Sequence, residues 1–279
     1  HIGTLGFRGE ALASIVAVSQ FQCRTSTDGQ KGYMFSARAG VITSEATVAF
    51  RKGTQIIVRN LFFNTPARLQ NLQAEYVELS HIVEYVNKMA LGNPHIRFKV
   101  TNNDKVLLQT NGNNNILEVI HEIYGLDVAK NMLEFTAGDA YFQLHGYIAK
   151  PSTTRSTRNH ISIIVNNRVI RNSGITNSIL AAYKNLLPIS RFPIAVIAIT
   201  MDFSLVDVNV HPAKLEVRFS EEKRLFDLLT KSVQSTLQKS DLIVDLDEID
   251  AENEYASWSY DDQDVETLEE KSEDSEEFI

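Results

Sequence analysis

The sequence predicts an α+β fold, with mixed domains at residues 1–113 and 114–240 and an acidic tail at 241–279. Three observations carry this. Short β-branched and aromatic segments separated by turn residues crowd positions 21–60. Apolar residues at helical spacing fill 69–89. The mixture of strands and helices then resumes beyond the Asn-rich run 111–115.

The chain opens on a glycine-bracketed loop, Gly6 to Gly9 with Phe7 and Arg8 between, running straight into a helix begun by Glu10 that carries Leu12, Ile15, Val16 and Val18. Glycines let backbone turn sharply and approach a ligand, and a helix start presents unpaired N–H groups and the positive end of its dipole, which suits phosphate. Phe21 to Thr25, Lys31 to Ala39, Val41 to Phe50 and Gln55 to Asn60 follow as antiparallel strands. Thr65-Pro66 offers an N-cap and a proline at the first helical position for one helix whose stripe runs from Leu69 to Met89 and stops at Gly92-Asn93-Pro94. A hairpin, Ile96 to Thr101 with Lys105 to Thr110, completes the first domain.

The second domain begins with a helix from Ile116 to Tyr124 closed by Gly125. Strands at Tyr141 to Ala149 and His160 to Val165, a turn at Asn166-Asn167 and a helix from Ile175 to Leu187 come next. Ile194 to Phe203 is apolar on both faces and reads as a central strand. Val206 to Val210 and Leu215 to Phe219 flank His211-Pro212-Ala213-Lys214, and Ser220 caps a last helix from Glu221 to Leu237. From Asp241 onward, dense acids and few apolar residues predict a disordered linker.

The formal net charge of −8 conceals a division. Residues 241–279 carry 17 acids and one lysine, so residues 1–240 keep 18 acids and 26 bases, a net +8. The bases concentrate: between Asp139 and Asp202 there is no acid, while Lys150, Arg155, Arg158, Arg168, Arg171, Lys184 and Arg191 supply seven cations beside the hydroxyls of Ser152 to Thr157. That composition suits a phosphate backbone. No aromatic ladder interleaves it, so sequence-blind duplex contact through Lys150, Arg155, Arg158, Arg168 and Arg171 is expected in preference to base stacking. No apolar run approaches the roughly 18 residues needed to cross a membrane, and no signal segment opens the chain, which predicts a soluble intracellular protein. The single cysteine, Cys23, excludes an internal disulfide and a multi-cysteine zinc site. His211 has no second His, Cys or acid at ligand spacing, so it is taken as a packing or capping residue.

Four strings, GFRGEAL from Gly6, Gly53-Thr54, FFNTPAR from Phe62 and DVNVHPAK from Asp207, stand in the order and spacing of the MutL family of DNA mismatch repair proteins, and the resemblance covers about residues 1–240. It implies the C-terminal part of a GHKL (Bergerat) ATPase α/β sandwich followed by a ribosomal-protein-like α/β transducer domain. By that resemblance, Gly6, Phe7, Arg8 and Gly9 form part of the lid over the triphosphate of ATP, Thr54 bonds the adenine side of the pocket, and Lys214 reaches the terminal phosphate from the second domain. Asn64, Thr65 and Pro66 are accounted for as a turn and cap. One departure is visible: the family's V-N-G-R reads here with Asn167 in place of the glycine, and asparagine tolerates the left-handed turn.

The family's water-activating Glu, Mg²⁺-holding Asn and adenine-binding Asp motif stand upstream of GFRGEAL. The chain begins at His1, so a fragment lacking its natural N-terminus and the C-terminal dimerisation domain is expected, inactive as an ATPase by itself. The resemblance further implies an ATP-gated DNA clamp that dimerises with itself or a paralogue and works with a mismatch-recognition protein of the MutS type, cytoplasmic in a bacterium and nuclear in a eukaryote. Two alternatives stand. A type II topoisomerase ATPase subunit also carries a transducer lysine, although GFRGEAL and NTPAR argue against it. A non-enzymatic basic DNA-binding adaptor would lack the upstream Glu-x-x-x-Asn and Asp-x-Gly-x-Gly strings.

Overall fold

A computed structural model describes residues 10–207 and 218–258. Its first helix, α1 (Glu10–Ala17), leads into strands β1 (Gln20–Ser26), β2 (Lys31–Arg38), β3 (Val41–Ala49) and β4 (Gly53–Arg59). They form an antiparallel sheet of order β3-β2-β1-β4. Local chemistry makes its turns. The Asp28 carboxylate accepts the N–H groups of Gln30 and Lys31 beside Gly29, and Ala39-Gly40, both at positive φ, close the β2–β3 hairpin.

The stripe after FFNTPAR divides into two helices, α2 (Pro66–Gln70) and α3 (Glu75–Gly92). This corrects the single helix expected. Thr65 makes no side-chain capping bond, and the Glu78 carboxylate takes the Gln73 N–H at 3.0 Å in the break, satisfying a donor ahead of α3. The hairpin β5 (Lys99–Asn102) and β6 (Lys105–Gln109) precedes α4 (Ile116–Tyr124), whose cap is the Asn115 side chain accepting from Glu118 N. Two elements absent from the sequence reading follow, α5 (Leu126–Lys130) and β7 (Met132–Gly138). A five-residue helix is too short to show a periodicity, and its lack hides where the next strand begins.

Then come β8 (Phe142–Ala149), β9 (Thr154–Arg155), β10 (Ile161–Val165), β11 (Arg168–Ile170), α6 (Ser173–Ala182), β12 (Phe192–Pro193), β13 (Ala195–Met201), β14 (Val206–Asp207), β15 (Arg218–Phe219) and α7 (Glu222–Trp258). The second sheet runs β11-β10-β13-β8-β7. As expected, β13 is central, parallel to β10 and antiparallel to β8. Its alternate residues enter two cores. Ala195, Ile197 and Ile199 face α6 and α7, whereas Ile194 and Val196 face a cluster with Leu91 of α3, Ile120 of α4 and Val128 of α5. That second cluster joins residues on both sides of the 113/114 boundary, so packing is continuous across it.

Helix α7 was expected to end at Leu237 with disorder from Asp241; it continues instead to Trp258. Extending an existing helix adds one hydrogen bond per residue fixed, whereas starting one does not, and Leu, Glu and Ala in this stretch are good helix formers. Residues 259–279 lie outside the described residues.

Candidate nucleotide site and nucleic-acid interface

Gly6, Phe7, Arg8, Gly9, His211 and Lys214 lie outside the described residues, so the structure locates only what flanks them. Helix α1 begins at Glu10, directly after the glycine loop. Its C-terminal end is held by FFNTPAR: the Asn64 amide donates to Ala17 O at 3.0 Å, and Phe62 N–H to Val18 O at 2.7 Å. Arg38 stacks over the Phe63 ring at 5.2 Å. The Asn64 turn therefore anchors the helix that the glycine loop starts, a link between two motifs that spacing alone could not reveal.

Thr54 is exposed near the head of β4, directly opposite Thr25 of β1, and their hydroxyls share a 2.9 Å hydrogen bond. Gly53 sits at φ 128°, a conformation other residues rarely adopt, and its carbonyl lies 3.4 Å from the Thr25 hydroxyl. Residues paired across neighbouring strands share a face, so Tyr33 stands in the row of this hydroxyl pair, Cys23, Phe35 and Ile56 form the next row, and Val58 lies one row further on. Tyr33, Ile56 and Val58 are exposed, leaving an apolar platform with a polar pair at one end. Such a face can take a flat apolar group, with the hydroxyl pair available to hydrogen-bond its edge. Thr25 was missed in the sequence because only strand register makes it Thr54's partner. No group of three or more His, Cys, Asp or Glu able to hold a metal occurs among the described residues.

The five cations expected to bind duplex divide. Arg155 lies in β9, paired with Phe192 of β12. Arg158 stacks on the Phe192 ring at 5.0 Å, and Arg191 reaches back to the Thr154 hydroxyl at 2.8 Å and its carbonyl at 3.2 Å. These three guanidinium groups form one corner. Lys150 follows β8, its N–H bonded to Asn131 O. Arg168 opens β11 beyond the Asn166-Asn167 turn, at the other end of β10 from Arg158. Arg171 follows β11 near Glu84 of α3, whose carboxyl is held below its ordinary value by the Lys88 hydrogen bond at 2.6 Å and then by the charges of Lys88, Arg171 and His81. Arg168 thus stands apart at the far end of β10, while the antiparallel return of β11 carries Arg171 back toward the end where Arg155 and Arg158 lie, so the expected face becomes one cluster and an outlier.

Within reach of Arg155 and Glu84, burial pushes the Tyr124 hydroxyl up to about 12. It faces the buried Ser162 hydroxyl, which closes no hydrogen bond of ordinary geometry. Burial, with Arg155 nearby, holds the His160 imidazole below its usual range.

The architecture is an α+β fold of the kind found in GHKL ATPase domains. A family model described as "DNA mismatch repair protein, C-terminal domain" matches residues 120–238. The DNA mismatch repair protein MutL of Staphylococcus carnosus (strain TM300) is 47% identical over 248 residues, covering 89% of this chain and 38% of that protein. Its counterpart from Geobacillus thermodenitrificans (strain NG80-2) is 44% identical over 264 residues, covering 93% and 41%. A crystal structure of the N-terminal domain of a DNA repair protein superposes with TM-score 0.73 at 24% identity, over 86% of this chain and 78% of that one. The Aquifex aeolicus MutL ATPase domain complexed with ADP superposes at 0.59 with 21% identity, over 80% and 77%. The chain belongs to the MutL family of DNA mismatch repair proteins. It spans about two fifths of the length of these curated relatives. No helix among the described residues is long and apolar enough to cross a membrane.

Proposed function

We propose that this chain is the nucleotide-responsive part of an ATP-gated, dimeric DNA clamp in mismatch repair, residues 1–113 binding ATP and 114–240 transmitting its state. The observation that carries this is the Thr25–Thr54 hydroxyl pair on its apolar platform, in a chain of the MutL family. Thr54 holds the adenine side. The backbone N–H groups of Gly6 to Gly9 receive phosphate oxygens, and the Lys214 ammonium meets the charge that distinguishes ATP from ADP. Magnesium would be held by residues upstream of these. The division at 113/114 is one of role, since the core is continuous across it. Continuity suits transmission, because a packed core passes on a displacement. Duplex is held through phosphates by Arg155 and Arg158 at one corner, with Lys150, by Arg171 on the return of β11, and by Arg168 at the far end of β10. A MutS-type protein and a second copy or paralogue complete the assembly.

A charge-assisted contact such as that of Lys214 is worth about 1.5–3 kcal/mol, enough to shift a domain equilibrium by roughly ten- to hundredfold. In the full-length protein, Lys214→Ala should spare ADP affinity and abolish the preference for ATP. Hydrodynamic size with a non-hydrolysable ATP analogue tests it: a variant that compacts and dimerises like the parent would overturn the assignment. The 279-residue chain by itself should show no Mg²⁺-dependent ATP turnover.

A further inference from the structure

A cavity of about 570 Å³ opens between α3, the end of α4 and the 3-10 turn Arg158–His160, and the reading above gives it no role. Leu79, Val83, Leu107 and Ile123 supply its apolar lining, and Lys88 and His160 stand among its polar residues. Asn87 also lines it, and its side-chain oxygen is buried and takes no hydrogen bond from any described residue. An orphan acceptor of this kind calls for a donor from an occupant. Cations outnumber the acid nearby: Arg155 acts on Tyr124 and His160, and Arg171 joins Lys88 around Glu84. Tyr76 stands 76% exposed beside this lining, leaving an apolar wall open to solvent.

We propose that the acidic segment 259–279 of this same chain docks in this cavity, its carboxylates against Lys88, Arg155 and Arg171 and an apolar side chain on the floor. The segment has the matching composition, ten acids to one lysine with Tyr260, Val265, Leu268, Phe278 and Ile279 interspersed. Its backbone N–H groups are the donors Asn87 lacks. Beyond Leu237 the 21 residues of α7 rise about 31 Å, and the 21 further residues, extended, span about 70 Å, so the segment can retrace the helix and continue beyond it. Docking stands independently of the nucleotide and duplex readings. Its consequence rests on the second: a docked tail covers Arg155 and Arg171 and so competes with duplex for them.

The test uses the whole 279-residue chain at low salt and without DNA, beside a chain whose ten tail acids are replaced by Asn and Gln. Hydrogen exchange across α3 and residues 158–160 should be several-fold slower in the parent, and the difference should vanish at roughly 0.5 M salt, where charge attraction beyond a few ångströms is screened. Trp258, the single tryptophan, lies beside the segment and reports its release as a loss of fluorescence anisotropy on neutralisation. Lys88→Glu should release the tail and Lys88→Arg should retain it. Equal exchange in parent and neutralised chains would overturn the proposal, as would protection that grows with protein concentration, the mark of a second copy as occupant.

Discussion

Asp139 ties the β7–β8 turn to the first turn of α7: one carboxylate oxygen accepts Arg224 Nε at 2.5 Å while the other takes the N–H groups of Tyr141 and Phe142. Arg224 also lies over the Tyr141 ring at 4.6 Å. Burial favours protonation of this carboxyl, but Arg224 and the two N–H groups outweigh it and hold it below its ordinary value. The unfolded chain therefore takes up a proton, near pH 4, that the folded chain refuses until lower pH. Stability from this contact is complete above about pH 4 and is lost as pH falls through the folded value. Thermal unfolding of the parent should fall more steeply below about pH 4 than that of Asp139→Asn. Parallel acid limbs would show the contact to be inconsequential.

Gly146 of β8 fits because it lacks a side chain. A Cβ there would collide with the Val196 carbonyl oxygen and stand 3.0 Å from the Phe135 ring. Neither can retreat easily, one being backbone of the central strand and the other a buried ring. Gly146→Ala should cost about 1–3 kcal/mol in denaturant unfolding with an unchanged slope. A midpoint equal to the parent's would mean the sheet absorbs the methyl.

The Asn166 amide imitates a strand residue: it accepts Met201 N–H at 3.1 Å and donates to Met201 O at 3.0 Å, extending the β10–β13 pairing past the strand end. It does so at φ 47°, with Asn167 at φ 65°. Asn166→Ala loses both bonds and the tolerance for that conformation, so unfolding should show a loss of about 2 kcal/mol. Asn167→Gly, which restores the V-N-G-R string, should stay within about 1 kcal/mol of the parent.

On duplex, the cations should act unequally. If Arg155, Arg158 and Arg191 each contact a phosphate, replacing any by Ala should lower the log–log salt slope of binding by about 0.9, whatever the sequence. Arg171→Ala should lower it less, because Glu84 already offsets that charge. Identical slopes for all four variants, measured by titration at several salt concentrations, would reject the offset of Arg171 by Glu84.

The first sheet was legible in sequence because its register is set locally: Asp28-Gly29 and Ala39-Gly40 carry the conformations their turns demand, and alternation does the rest. The double-sided burial of β13 was legible as well, since a strand apolar at every position has to lie between two layers. The four motif strings were enough for the family. Tertiary structure decided what depends on distant partners. The expected helix breaks before Glu75, with a side chain from the next turn satisfying the gap, and Thr25 pairs with Thr54 only through register. Within the acid-free run, β10 carries Arg168 to the far end of the strand from Arg158 while β11 brings Arg171 back, so position along the chain did not give position in space.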